Sequence, residues 1–208
     1  MNQATQPLSL QGTAGHIEAL LDTPEQGAVV GTAVLAHPHP LFGGTMHNKV
    51  VQTLARAFVQ CGWRAVRFNF RGVGTSAGVY DEGQGEALDM CQVIDQVSPD
   101  GPLALAGFSF GAFVTSHVTQ ALGPQRVPHK LVLVGTAASR FQVASLAPEL
   151  HERTLVLHGE QDDTVPLSSV MDWARPQSLP ITVIPGVEHF FHGQLPLLKS
   201  LVVRHLKS

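Results

Sequence analysis

Short apolar runs alternate along this chain with segments whose apolar positions recur every three or four residues. The runs at 31–36, 64–68, 103–106, 130–134, 154–157 and 181–184 are bounded by Gly, Pro or polar residues. Apolar runs of that length read as strands buried on both faces, the condition of a parallel sheet. Residues 8–21 alternate more loosely around Gly12 and Gly15 and predict an N-terminal strand pair. Helical periodicity covers 45–60, with Val50, Leu54, Ala57 and Phe58 on one face. Thr45 is placed to cap that helix and Gly62 to stop it. Further helices are predicted over 86–97 (Leu88, Cys91 and Ile94 or Asp95 about a turn apart), 112–122, 167–174 and 195–205, with a short one inside 139–151. Segments 37–44 and 71–85 are rich in Gly or Pro and read as loops. Alternating strands and helices predict an α/β fold with a mainly parallel sheet and helices on both faces. The stretch between the strands at 130–134 and 154–157 is too short for a cap domain.

Bulk properties narrow the classes. The chain has 208 residues, which fits one domain spanning 1–208 with a sizeable core. With 13 basic and 16 acidic residues there is no basic stripe, so nucleic acid is not an expected partner. No run approaches the roughly 18 apolar residues of a membrane span, and residues 1–7 lack the apolar stretch of a signal peptide. Cys61 and Cys91 fall inside helical patterns without metal or redox spacing. They read as reduced thiols in a cytoplasmic protein. The sequence carries no signal for an oligomeric state.

Two segments match G-x-S-x-G: Gly107-Phe108-Ser109-Phe110-Gly111 and Gly74-Thr75-Ser76-Ala77-Gly78. The first follows the run 103–106 and precedes a helix, the strand–turn–helix setting a nucleophile elbow requires. The second is followed by Gly78, Gly83 and Gly85, which break any helix. Ser109 is therefore the expected nucleophile and Ser76 a loop residue. A serine hydroxyl needs a histidine to take its proton and a carboxylate to hold that histidine. In an open parallel sheet such groups belong on loops at the carboxyl ends of strands. Asp162 follows the strand 154–157 and His189 follows 181–184. Asp163 and His192 are their neighbouring rivals.

The segments Gly107-Phe-Ser-Phe-Gly, His158-Gly-Glu-Gln-Asp-Asp-Thr-Val-Pro166 and Gly186-Val-Glu-His-Phe-Phe resemble the elbow, acid and histidine segments of the α/β-hydrolase superfamily. That resemblance favours Asp162 over Asp163. Segments 37–49 and 68–78 are similar to those of small, capless bacterial serine hydrolases related to dienelactone hydrolase, over nearly the whole chain from about residue 31. Position 109 departs from dienelactone hydrolase, whose nucleophile is a cysteine. The implied fold is the α/β-hydrolase fold without a cap, and serine favours ester chemistry over lactone specificity.

An oxyanion hole needs backbone N–H groups aimed at the developing charge. Phe110, after the nucleophile, supplies one. The second belongs on the loop after the strand 31–36, where Pro38 and Pro40 have no N–H. His39 is the first choice and Leu41 the second. Phe42, Phe190 and Phe191 are expected to line a substrate pocket, with Phe110 adjacent. The histidines at 37, 39 and 47 lack a nearby carboxylate and read as part of a rigid loop rather than a metal site. Arg71 is expected to tie its loop down through Asp81, Glu82 or Glu86, and Trp63 and Trp173 to pack. The resulting expectation is a serine hydrolase acting on small carboxylic esters, with no cofactor and no metal. A thioesterase or peptidase with the same triad is the alternative, and a non-catalytic scaffold a remoter one.

Overall fold

A computed structural model describes residues 5–208. Its frame is an eight-stranded sheet in the order β1-β2-β4-β3-β5-β6-β7-β8. The strands are β1 (Thr5–Gly12), β2 (Gly15–Asp22), β3 (Thr32–Ala36), β4 (Arg64–Phe68), β5 (Leu103–Phe108), β6 (Lys130–Val134), β7 (Thr154–Gly159) and β8 (Ile181–Ile184). The pairs from β4 through β3, β5, β6 and β7 to β8 are all parallel, while β1 and β2 add an antiparallel edge. Every residue of β3 and β5 is buried, as a central parallel strand covered on both faces requires.

Helices α1 (Lys49–Gln60) and α5 (Leu195–Lys207) cover one face. Their Val50, Leu54, Phe58, Leu198 and Val202 pack on the strand residues Leu35, Ala106, Val132 and Leu157. Helices α2 (Gln84–Val97), α3 (Phe110–Leu122) and α4 (Leu167–Ala174) cover the other. There Met90, Val93, Val114, Val118 and Val170 meet Val34, Leu105, Leu133 and Val156. The alternation of strand residues between these two clusters is the period of two that a sheet imposes. Residues 135–153, between β6 and β7, hold only a short 3-10 turn at Pro148–Arg153, and no lid is built among the described residues. No helix of the described residues is long and apolar enough to cross a membrane. Cys61 and Cys91 are free and half-buried, and burial raises both thiol pKa values, which favours the protonated form.

Four local expectations need correction. Helix α1 is capped by Asn48, whose side chain accepts the Val50 N–H at 2.9 Å; Thr45 instead accepts the His47 N–H in the preceding turn. Within 139–151 only the end is helical, in the 3-10 turn Pro148–Arg153; residues 142–147 are irregular, and Ala144 N–H is held by Ser116 Oγ and Leu146 N–H by Gln177. Those side-chain acceptors replace a helical ladder. On α2, Leu88 is exposed, and the inward face carries Glu86 and Asp89 beside Met90, Val93 and Ile94. Glu86 accepts the N–H groups of Asp81 and Gly83, and Asp89 those of Thr13 and Arg71. Arg71 accordingly pairs with Asp89 at 2.8 Å and more distantly with Asp81 at 3.8 Å, and neither Glu82 nor Glu86 is its partner. Trp63 and Trp173 pack as expected, Trp63 buried and Trp173 half-buried with its indole N–H on the Ala144 carbonyl.

Candidate active site

Ser109 is a single-residue turn between β5 and α3, with φ 56 and ψ −115. Positive φ in a non-glycine residue costs on the order of 1–3 kcal/mol and marks an over-determined position. The strain is held by close packing. A Cβ on Gly107 would collide with the Gly111 backbone, and one on Gly111 with the carbonyls of Ala36 and His37. The Ser109 N–H donates to the Val134 carbonyl at 2.8 Å, so the elbow is also tied to β6.

The loops after β7 and β8 meet because Glu160 N–H donates to the Ile184 carbonyl and Gln161 N–H to the Val187 carbonyl, both at 3.0 Å. That contact carries Asp162 and His189 to the same place. His189 Nδ1 lies 2.6 Å from Asp162 Oδ2, and its Nε2 lies 3.1 Å from Ser109 Oγ. With a proton on Nδ1 donated to the carboxylate, Nε2 is left as acceptor for the Ser109 hydroxyl. The other carboxylate oxygen accepts the N–H groups of Thr164 at 3.0 Å and Val165 at 2.7 Å. All three side chains are buried or nearly so, and the His189 ring packs against Phe108 at 4.9 Å between centroids.

The rivals lie elsewhere. Asp163 is exposed and accepts only the Thr164 hydroxyl; His192 is exposed and pairs with Glu188 at 3.1 Å. Ser76 Oγ accepts the Glu18 N–H and donates to the Asn69 carbonyl, which holds its loop against β2 and β4. His158 is a residue that sequence reasoning left unassigned. Fully buried, it donates from Nε2 to the Val165 carbonyl at 2.9 Å and lies 3.6 Å from Asp162. It therefore braces the turn whose N–H groups hold the acid. Burial is the main cause that lowers its pKa and keeps it neutral.

The loop after β3 is rigid. His37 donates from Nδ1 to the Pro38 carbonyl at 2.6 Å and accepts the Phe70 N–H on Nε2 at 3.0 Å. The His39 carbonyl accepts from Phe42 and Gly44. The backbone N–H groups of His39 and Phe110 donate to no protein group among the described residues. Leu41 differs: its N–H is taken by His39 Nδ1 at 3.2 Å, and its side chain is exposed. It is thus removed as an oxyanion donor. His37, His39 and His47 form no metal cluster, and none occurs among the described residues.

Ser109 and His189 open into a cavity of about 350 Å³ that also touches Pro38, His39, Phe42 and Phe190. Phe110, Arg140 and Phe141 also line it. Phe191 is not among them. It sits at φ 58, fully buried, in the core under α1 and α5, so the pocket assignment for that residue is corrected. The chain turns at 190–191 and sends consecutive aromatics to opposite sides. Arg140 and Phe141 are site residues that sequence reasoning left unassigned; the available signal was an Arg-aromatic pair beyond a strand's carboxyl end.

Burial pushes the His37 pKa down to about 4. A histidine held neutral in the fold but free to protonate near 6.5 when unfolded contributes stability above pH 6.5. That contribution is lost as pH falls toward 4. His37→Gln keeps a donor and an acceptor but does not titrate. The stability advantage of wild type over this variant, from urea unfolding, is expected to shrink by roughly 3 kcal/mol between pH 7 and pH 4. A gap that stays constant with pH would refute the assignment.

Comparison with known proteins agrees with this fold. Residues 32–150 match the family described as serine aminopeptidase, S33. The chain belongs to that family of α/β-hydrolases. It is 36% identical to XC6422 of Xanthomonas campestris, a serine hydrolase without a lid, with a TM-score of 0.87 over 100% of this chain and 95% of the other. It is 38% identical to an alpha-beta serine hydrolase homologue of Coxiella burnetii, with a TM-score of 0.83 over 97% of each chain. An uncharacterized protein of Rickettsia prowazekii is 31% identical over 172 residues, 76% of this chain and 71% of that one.

Proposed function

We propose that the protein is a carboxylesterase-type serine hydrolase of the cytoplasm that cleaves small esters without a cofactor. The observation that carries this reading is the unbroken chain Ser109–His189–Asp162, at 3.1 and 2.6 Å, opening into an accessible cavity. Ser109 Oγ attacks the ester carbonyl while His189 Nε2 takes its proton. Asp162 holds the imidazole in the Nδ1–H form and stabilises the imidazolium. The N–H groups of Phe110 and His39 receive the oxyanion of the tetrahedral intermediate. His189 then gives its proton to the leaving alcohol. The acyl-enzyme is released by water along the same path.

The family description raises an aminopeptidase as a second reading. Such an enzyme must hold a free α-ammonium group beside the scissile bond, which needs a carboxylate in the pocket. Among the described residues no Asp or Glu lines this cavity, and the one unequivocal charge there is Arg140. A thioester is chemically accessible to the same triad, and a panel of substrates separates it from an oxygen ester.

A cavity of about 350 Å³ without a lid lies at the small end of ligand sites. Each buried methylene contributes about 0.8 kcal/mol, a gain a long acyl chain cannot collect here. We expect kcat/KM for p-nitrophenyl acetate or butyrate to exceed that for the palmitate, measured below micelle-forming concentrations. Activity that peaks at long acyl chains would contradict the small-ester reading.

A further inference from the structure

We propose that Arg140 makes the enzyme selective for esters that carry a carboxylate on an aromatic or compact apolar body. This inference rests on the ester-hydrolase reading and names its substrate class.

Arg140 lies where the chain leaves β6, its N–H on the Ala137 carbonyl at 3.3 Å. Its guanidinium carbon sits 5.8 Å from the centre of the Phe42 ring, within cation–π range. A cation–π contact of this kind leaves the N–H fork free for an anion. Arg67, Arg71 and Arg175 each have a carboxylate partner. Arg140, like Arg56, Arg64, Arg126, Arg153 and Arg204, has none among the described residues, and it stays exposed. It nevertheless lines the same cavity as Ser109 and His189.

The rest of that cavity sharpens the point. Its walls include Phe42, Phe110, Phe141 and Phe190, and none of its lining residues is acidic. Phe110 and Phe141 meet edge-on at 5.2 Å, and His39 packs against Phe42, Phe110 and Phe141. The site therefore offers π-faces for an apolar body and one cation for an anion. The guanidinium stays solvent-exposed, so its attraction for an anion is weakened by salt. The field of Arg140 already reaches into the loop: the His39 pKa is pushed down by burial first and by this arginine second. A carboxylate matches the guanidinium fork through two parallel charge-assisted hydrogen bonds.

Two matched pairs of substrates test the proposal and report the side on which the anion sits. 4-Acetoxybenzoate against 4-acetoxybenzamide places the carboxylate on the alcohol. The p-nitrophenyl half-ester of glutaric acid against p-nitrophenyl butyrate places it on the acyl group. In one pair or both, wild type is expected to favour the carboxylate by about tenfold or more in kcat/KM, mostly through KM. That preference should shrink as salt is added. Arg140→Gln should abolish it, Arg140→Glu reverse it and Arg140→Lys keep part of it. Arg175→Gln, which removes a cation at the C-terminal end of α4 that is paired with Asp172 and does not line the cavity, should retain it in full. Equal rates within both pairs, or a preference that survives Arg140→Gln, would overturn the inference and leave the esterase reading standing. Failure to turn over any ester, together with an unreactive Ser109, would overturn both.

Discussion

Ser109→Ala is expected to lower kcat/KM for p-nitrophenyl butyrate by roughly 10⁴-fold or more, with the fold intact. On the proposed mechanism the Ser109 hydroxyl forms the acyl-enzyme, and among the described residues no other hydroxyl hydrogen-bonds to His189. His189→Ala should cost a similar factor, and the double variant little more, because residues acting as one unit are not additive. The informative contrast is Ser76, which shares the motif. Its Oγ is occupied by the Glu18 N–H and the Asn69 carbonyl. Ser76→Ala should therefore leave turnover close to wild type while costing roughly 1–3 kcal/mol of stability, the penalty for an orphaned buried partner. Steady-state kinetics and urea unfolding on the same preparations check both halves. A loss of activity in Ser76→Ala to match that of Ser109→Ala would undo the assignment.

Gly107→Ala is expected to damage both fold and activity. The added Cβ meets the backbone of Gly111 and Ala112, which cannot rotate aside as a side chain can. Overpacking of this kind costs about 1–3 kcal/mol, and more when backbone must move. The displaced backbone is the elbow itself, so Ser109 Oγ should leave hydrogen-bond reach of His189. Gly193→Ala provides the comparison. Nothing lies within 4 Å of its Cβ position, and only its positive φ of 72 is penalised. It should cost about 1–2 kcal/mol and leave kcat unchanged. Equal effects in the two variants would mean that backbone conformation, rather than the close approach at the elbow, governs this turn.

The sheet, its helices and the meeting of Ser109, Asp162 and His189 were legible in the sequence because several local signals agree there. In the stretch from Leu103 to Leu122, the apolar run, the paired glycines and the helical period all point to one strand–turn–helix. The order and placement of the loops after β7 and β8 did the same for the histidine, while the choice of Asp162 over Asp163 came from the resemblance of segment 158–166 to the hydrolase acid segment. Where tertiary partners outweigh local pattern, the reading failed. Helix α2 turns Glu86 and Asp89 inward because the N–H groups of Asp81, Gly83 and Thr13 need acceptors, and no hydrophobic period encodes that need. Residues 142–147 stay irregular because Ser116 and Gln177, distant in sequence, satisfy their backbone. Phe190 and Phe191 are indistinguishable as letters. A positive φ at the second sends it to the core and leaves the first in the cavity.

The central claim is that Ser109 is an activated nucleophile, and a fluorophosphonate tests it most directly. The reagent forms a stable bond only with a serine whose proton has a base to receive it. Intact-mass and peptide mapping after brief exposure should show one adduct, on Ser109, absent in Ser109→Ala and strongly slowed in His189→Ala. An unlabelled wild-type protein, or an adduct on Ser76 or another serine, would contradict the account.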